Sequence, residues 1–192
     1  MTRRRYIALA AGIALLGACA EQQFITVEPE PKYHAWWLRS DIRPFGSSVR
    51  GIPVSQLRLS WCKVNEFAIE LFPPEVRSAG DSPLDEALKR SGAAFFIASA
   101  FGNNVNVLVG VYETCASERG TFLMAVDLAK RQAIDIVEFP GKANFAVLHP
   151  EDDNRLQVWW CFECDNVSTF KWNRAERRFE HEPQPEDEDD GT

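Results

Sequence analysis

Sulfur and tryptophan carry most of the chemistry that this 192-residue chain can offer. Of its five cysteines, Cys62 and Cys115 stand alone, Cys161 and Cys164 are separated by two residues, and Cys19 ends an apolar run. A structural zinc site wants four ligands at recognisable spacing, usually two Cys-x-x-Cys pairs or one such pair with paired histidines. Here His34, His149 and His181 are scattered singly, so neither a metal nor any other cofactor is expected. Gly-x-Ser-x-Gly, His-Glu-x-x-His and a phosphate-cradling glycine loop are all missing from the sequence, and no catalytic set is assigned. The acids Glu151, Asp152 and Asp153 sit in a polar stretch and read as a solvated loop. Adjacent tryptophans, Trp36-Trp37 and Trp159-Trp160, are the other unusual feature. Neighbours on a strand face opposite ways, so one of each pair can point outward. Trp36, Trp37 and Trp159 are therefore candidate contacts for a partner protein or a glycan. Burial on both faces of a sheet is the competing reading.

The address of this chemistry is written in the first twenty residues. Arg3, Arg4 and Arg5 precede the apolar run Tyr6 to Leu16, and Gly17, Ala18 and Cys19 follow. A basic front, a short apolar stretch and small residues describe an export signal. The run is too short to span a bilayer comfortably. Leu16-Gly17-Ala18-Cys19 resembles the lipobox of bacterial lipoproteins. That resemblance implies cleavage after Ala18 and acylation of Cys19, which becomes the mature N-terminus. Each buried methylene contributes about 0.8 kcal/mol, so several acyl chains hold a protein on a membrane almost irreversibly. Ala20, in place of the Asp that marks inner-membrane retention, implies an outer-membrane lipoprotein facing the periplasm. Thr2 to Ile7 also loosely resembles a twin-arginine signal, although three arginines suit the general secretory route equally.

Outside the cytosol, the four cysteines left after Cys19 point to disulfides, and four allow three pairings. Trp160-Cys161-Phe162-Glu163-Cys164 resembles the Trp-Cys-x-x-Cys motif of thioredoxin-like oxidoreductases. In that family the first cysteine opens a helix that lowers its pKa. The flanks here alternate as a strand, and Asn166 to Thr169 is poor helix material. If the strand runs straight through 161–164, the two sulfurs face apart and must bond elsewhere. If a turn starts near Glu163, Cys161 bonds Cys164 and leaves Cys62 for Cys115. The Asp165-Asn166 turn signal favours the second arrangement.

The elements that must position these residues are mostly strands. Gln56 to Trp61 alternates polar and apolar residues, and Glu66 to Phe72 does so in part. Val105, Val107, Val109 and Val111 predict a half-buried strand with its valines on one face. Thr121 to Asp127 and Ala133 to Phe139 flank a turn and predict a hairpin, and Asn144 to Leu148 is a short apolar run before a break at Pro150 to Asn154. Leu156 and Val158 mark a strand that returns over Val167 to Trp172, with a last strand at Arg177 to Glu180. One helix is expected near residues 83–91, with Ser82 as its cap, Pro83 in its first turn and Gly92 as its stop. The fold class is mostly β, an antiparallel sandwich or open barrel with that one short helix.

Around this domain, expected over residues 33–181, lie a signal peptide (1–18), a lipidated cysteine with a flexible tether (19–32) and an acidic tail (182–192). Loss of the signal leaves 18 basic residues against 28 acidic, a formal charge of −10 in place of −7. That acidity argues against nucleic acid as a partner and leaves membrane attachment to the lipid. The expectation is a non-enzymatic, lipid-anchored envelope domain that binds or scaffolds another envelope component. Thiol-disulfide exchange through Cys161 and Cys164, or inhibition of an envelope hydrolase, are the alternatives.

Overall fold

The computed structural model describes residues 42–72, 83–102, 104–141, 144–160 and 166–183. The expected lipidation site, the Trp36-Trp37 pair, Cys161 and Cys164 lie outside them, as do Ser82, the expected helix cap, and the acidic residues 186–190. The described chain is a mostly β domain of antiparallel sheets.

Its centre is the hairpin of β5 (Val105–Thr114) and β6 (Arg119–Asp127), extended by β7 (Gln132–Pro140). Along the other side of β5 lie β3 (Trp61–Glu66), opposite its C-terminal half, and β4 (Phe96–Ile97), opposite Leu108 and Val107. A second sheet runs in the order β11 (Arg178–Glu182), β10 (Val167–Asn173), β9 (Arg155–Trp159) and β8 (Val147–Asp152).

Alternation along β5 and β6 explains the layers. Val107, Val109, Val111, Leu123 and Ala125 share one core with Val147, Leu156, Val158, Phe170 and Trp172 of the second sheet. The intervening residues, Leu108, Tyr112, Phe122, Met124 and Val126, form a separate core on the opposite face. That face is covered by the hairpin β1 (Ser48–Val49) and β2 (Ile52–Pro53) and by the single helical turn α1 (Val54–Leu57). The β5 strand is thus buried on both faces rather than half-buried: Leu108 and Tyr112 pack against a third layer. Within that third layer the large and small residues interlock. Gly110 pairs with Phe122 and Gly120 with Tyr112, so each ring lies over a residue without a side chain. A Cβ at Gly110 would press into the Asn65 carbonyl oxygen and lie 2.6 Å from the Phe122 ring. Trp61 completes the packing, stacked on Tyr112 at 4.4 Å and tilted against Phe122 at 5.2 Å.

Two ties join the sheets at their sides. On one side Ala94 and Leu148 exchange backbone hydrogen bonds of 2.9 and 2.7 Å, just before β4 enters the first sheet. On the other, the Asp135 carboxylate of β7 accepts a 2.7 Å hydrogen bond from the Phe179 N–H of β11. Cys62 and Cys115 form a disulfide that links β3 to the turn after β5, one of the pairings that the sequence allows.

Local departures from the sequence reading have physical reasons. The stretch 56–60 is not strand: Val54 and Leu57, three apart, face the core from α1, and Leu59 is 92% exposed in a turn before β3. The alternation of Leu57, Leu59 and Trp61 misleads because only Leu57 and Trp61 are buried, and their spacing of four suits either period. Strand β3 ends at Glu66, and Ile69–Leu71 is a short 3-10 turn. Pro150 does not break β8, which continues to Asp152. As the sheet's edge strand with a bulge between Pro150 and Asp152, it needs no N–H from proline. The predicted helix forms as α2 (Pro83–Ser91), buries Leu84 and ends at Gly92 with φ +70°.

Candidate functional site

Among the described residues, hollows open at both ends of the β5–β6 hairpin. One, about 420 Å³, lies at the β5–β6 turn and includes Tyr112, Glu118 and Arg119, one acid beside one base. Burial raises the pKa of the Tyr112 hydroxyl, and the nearby Glu138 and Glu118 charges add to that shift. The hydroxyl therefore stays protonated and neutral at physiological pH.

The second hollow, about 380 Å³, lies at the other end, where the β6–β7 turn and the β10–β11 turn come together. Its apolar part is held by the core: Phe101 stacks on Trp172 with centroids 5.2 Å apart and planes 2° from parallel. Both rings are only 3% exposed, so neither offers an open face to a sugar. Its polar wall carries Lys130 from one turn, Arg174 and Arg177 from the other, and a single acid, Asp127.

The local structure explains why these charges differ. Asp127 is 8% exposed at the end of β6, accepts a 3.0 Å hydrogen bond from the Lys130 backbone N–H, and pairs with Lys130 Nζ at 3.4 Å. That backbone hydrogen bond, helped by the Lys130 side chain, holds the Asp127 carboxyl below its ordinary pKa. The lysine and the carboxylate therefore largely satisfy each other. In the second turn Asn173 Oδ1 accepts from Ala175 N and Glu176 N, which fixes the chain reversal. Glu176 and Glu180 are occupied by Arg178, at 2.6 and 3.8 Å. Among the described residues, Arg174 donates to the Asp153 carbonyl alone, at 3.2 Å, which positions its guanidinium without neutralising it. Among the described residues, neither Arg174 nor Arg177 has a carboxylate within ion-pair distance. A chain of net charge −7 thus carries a local surplus of positive charge at this end.

The backbone here is costly. Arg177 holds φ +53°, Arg131 in the matching turn +49°, and Asn104 at the mouth +61°. An L-residue pays roughly 1–2 kcal/mol for the left-handed region, which glycine enters freely.

Of the residues singled out from sequence, Trp159 is described, and it is not in this cleft. It is half-buried on β9, stacked on the His149 ring at 4.9 Å, with its indole N–H donating to Gln157 Oε1 at 2.7 Å. Its neighbour Trp160 donates to Ser168 Oγ and packs edge-on against Phe139. Cys62 and Cys115 are brought together, and both are exposed. Among the described residues no three His, Cys, Asp or Glu gather as a metal set, and no helix is long and apolar enough to cross a membrane.

Lys130, Arg174 and Arg177 were not singled out from sequence. Their signal was a pair of four-residue turns, Leu128-Ala129-Lys130-Arg131 and Arg174-Ala175-Glu176-Arg177, each with arginine where glycine would be easier. Comparisons of this chain with protein-family models, with curated proteins and with solved structures found no match.

Proposed function

We propose that this protein is a lipid-anchored binding domain of the bacterial envelope, held by acylated Cys19 and facing the periplasm. It works by holding a partner rather than by converting a substrate. The anchor rests on the lipobox resemblance, and the Cys62–Cys115 disulfide suits an oxidising compartment. The observation that carries the binding reading is the cleft between the two hairpin turns. It is concave, its polar groups converge, and the doubly covered β5–β6 hairpin and the Phe101–Trp172 stack hold it rigidly.

Anchoring and binding are tested separately in cells. Cys19→Ser should move the protein from the membrane pellet to the soluble fraction and abolish labelling by a fatty-acid analogue. A photo-crosslinking residue at exposed Ala129, on the cleft wall, should give a defined adduct. The same residue at exposed Ser55, on α1 over the far face of the sheet, should give none. Equal adducts from both positions, or none from Ala129, would overturn the cleft as the binding site.

A further inference from the structure

We infer that the cleft between the β6–β7 and β10–β11 turns is an oxyanion site, taking a small ligand with at least two carboxylate or phosphate charges. This rests on the binding reading above and names the ligand class. A neutral sugar would need an open aromatic face, yet Phe101 and Trp172 are stacked on each other and buried. A cation would meet Asp127, whose charge Lys130 already engages through its backbone N–H and its ammonium. What is left for a ligand is two guanidinium groups from one turn, Arg174 fixed by the Asp153 carbonyl and Arg177 with no carboxylate in reach among the described residues. Guanidinium forks match the paired oxygens of carboxylate and phosphate. A volume of about 380 Å³ suits a small molecule or a chain end rather than a folded partner's surface.

Arg177 is also the residue whose role can be separated from the fold. It occupies a left-handed position at φ +53° in an exposed turn, where glycine would relieve strain. Among the described residues its side chain has no hydrogen bond or ion pair within that turn, and Asn173 closes the reversal. Arg178, its neighbour, supplies the control: equally exposed, but paired with Glu176 and Glu180.

The test is calorimetric titration of the full-length protein in detergent, at low ionic strength, with pyrophosphate, citrate and glucose as probes. Pyrophosphate or citrate should bind in a saturable manner and weaken as salt is raised. Binding of both assigns a general oxyanion site, and binding of one assigns phosphate or carboxylate as the source. Arg177→Gly should weaken binding about tenfold or more, as loss of a charge-assisted hydrogen bond does. Its melting temperature should be equal to or above that of the wild type. Arg174→Ala should weaken binding similarly, and Arg178→Ala should leave it unchanged. Silence of both anions, saturable binding of glucose, or an equal loss from Arg178→Ala would overturn the assignment. A clean adduct from Ala129 with no anion binding would sink the oxyanion site alone and leave the binding domain standing.

Discussion

Removing the Cys62–Cys115 disulfide should cost this domain a large part of its stability, and the structure says how much. The bond closes a loop with a sequence separation of 53 residues, which contains the whole link between β3 and β5, α2 included. Restricting a loop of that length in the unfolded chain removes about 14 cal/mol/K of entropy, or about 4 kcal/mol at 25 °C. Little else changes on substitution. Both cysteines are exposed, so Cys62→Ser/Cys115→Ser sacrifices little buried area, and β3 keeps its pairing with β5 and the Lys63–Glu113 ion pair of 2.8 Å. Against a typical total of about 5–15 kcal/mol, this is a heavy loss. At about 2–4 °C per kcal/mol for a domain of this size, the melting temperature should fall by about 8–16 °C. Urea unfolding of wild type and the double variant, without reductant and followed by far-ultraviolet circular dichroism and tryptophan fluorescence, measures it. Coincident transitions are the condition for extracting a free energy. A difference below about 1 kcal/mol would refute the reasoning, because loop closure would then contribute almost nothing.

Gly110→Ala should destabilise by about 1–3 kcal/mol in the same urea assay, the ordinary cost of overpacking. Combining it with Phe122→Leu should recover only part of that loss, since the Asn65 carbonyl oxygen still stands against the new methyl group. Asp127 has a carboxyl pKa lowered by the Lys130 backbone N–H, so its charged form stabilises the fold above the ordinary carboxylate pKa of about 3.9. That contribution is lost as pH falls through the lowered native value. Asp127→Asn should therefore be less stable than wild type near neutrality, and the gap should close under acid. Thermal melts from pH 7 down to pH 3 follow it, and a gap that widened on acidification would contradict the assigned direction.

Much of this fold is legible in the residues because its strands obey simple periods. The valines of β5, the hairpin around Ala129 and the alternation of Leu156 with Val158 each forecast a strand that forms. What misled was the number of layers. Val105 to Val111 announces one apolar face, while Asn106, Leu108, Gly110 and Tyr112 look too mixed for a second. Only the covering hairpin and α1, together with the pairing of Gly110 under Phe122, make that face a core. The cleft was harder to foresee, because Lys130 and Arg174 are 44 positions apart and meet only through sheet packing. A charge surplus of this kind depends on which acids are already taken. Glu176 and Glu180 look like neutralising neighbours of Arg177 until the structure shows both turned to Arg178.

The ties between the two sheets also bear on life at high surface density. A chain anchored by lipid, as proposed here, is concentrated in two dimensions, where a bare strand edge invites pairing with the next copy. Among the described residues, β3, β7, β8 and β11, the outer strands of the two larger sheets, each have part of their edge occupied or interrupted. Val64 of β3 is covered by the bridge to Gly46, and the strand is bulged between Trp61 and Lys63. β8 carries Pro150 and the Ala94 bridge. β7 and β11 turn toward each other through Asp135, whose carboxylate takes the Phe179 N–H that an intruding strand would need. The side ties that hold the sheets together thus also take up edge groups with which a neighbouring copy would otherwise pair.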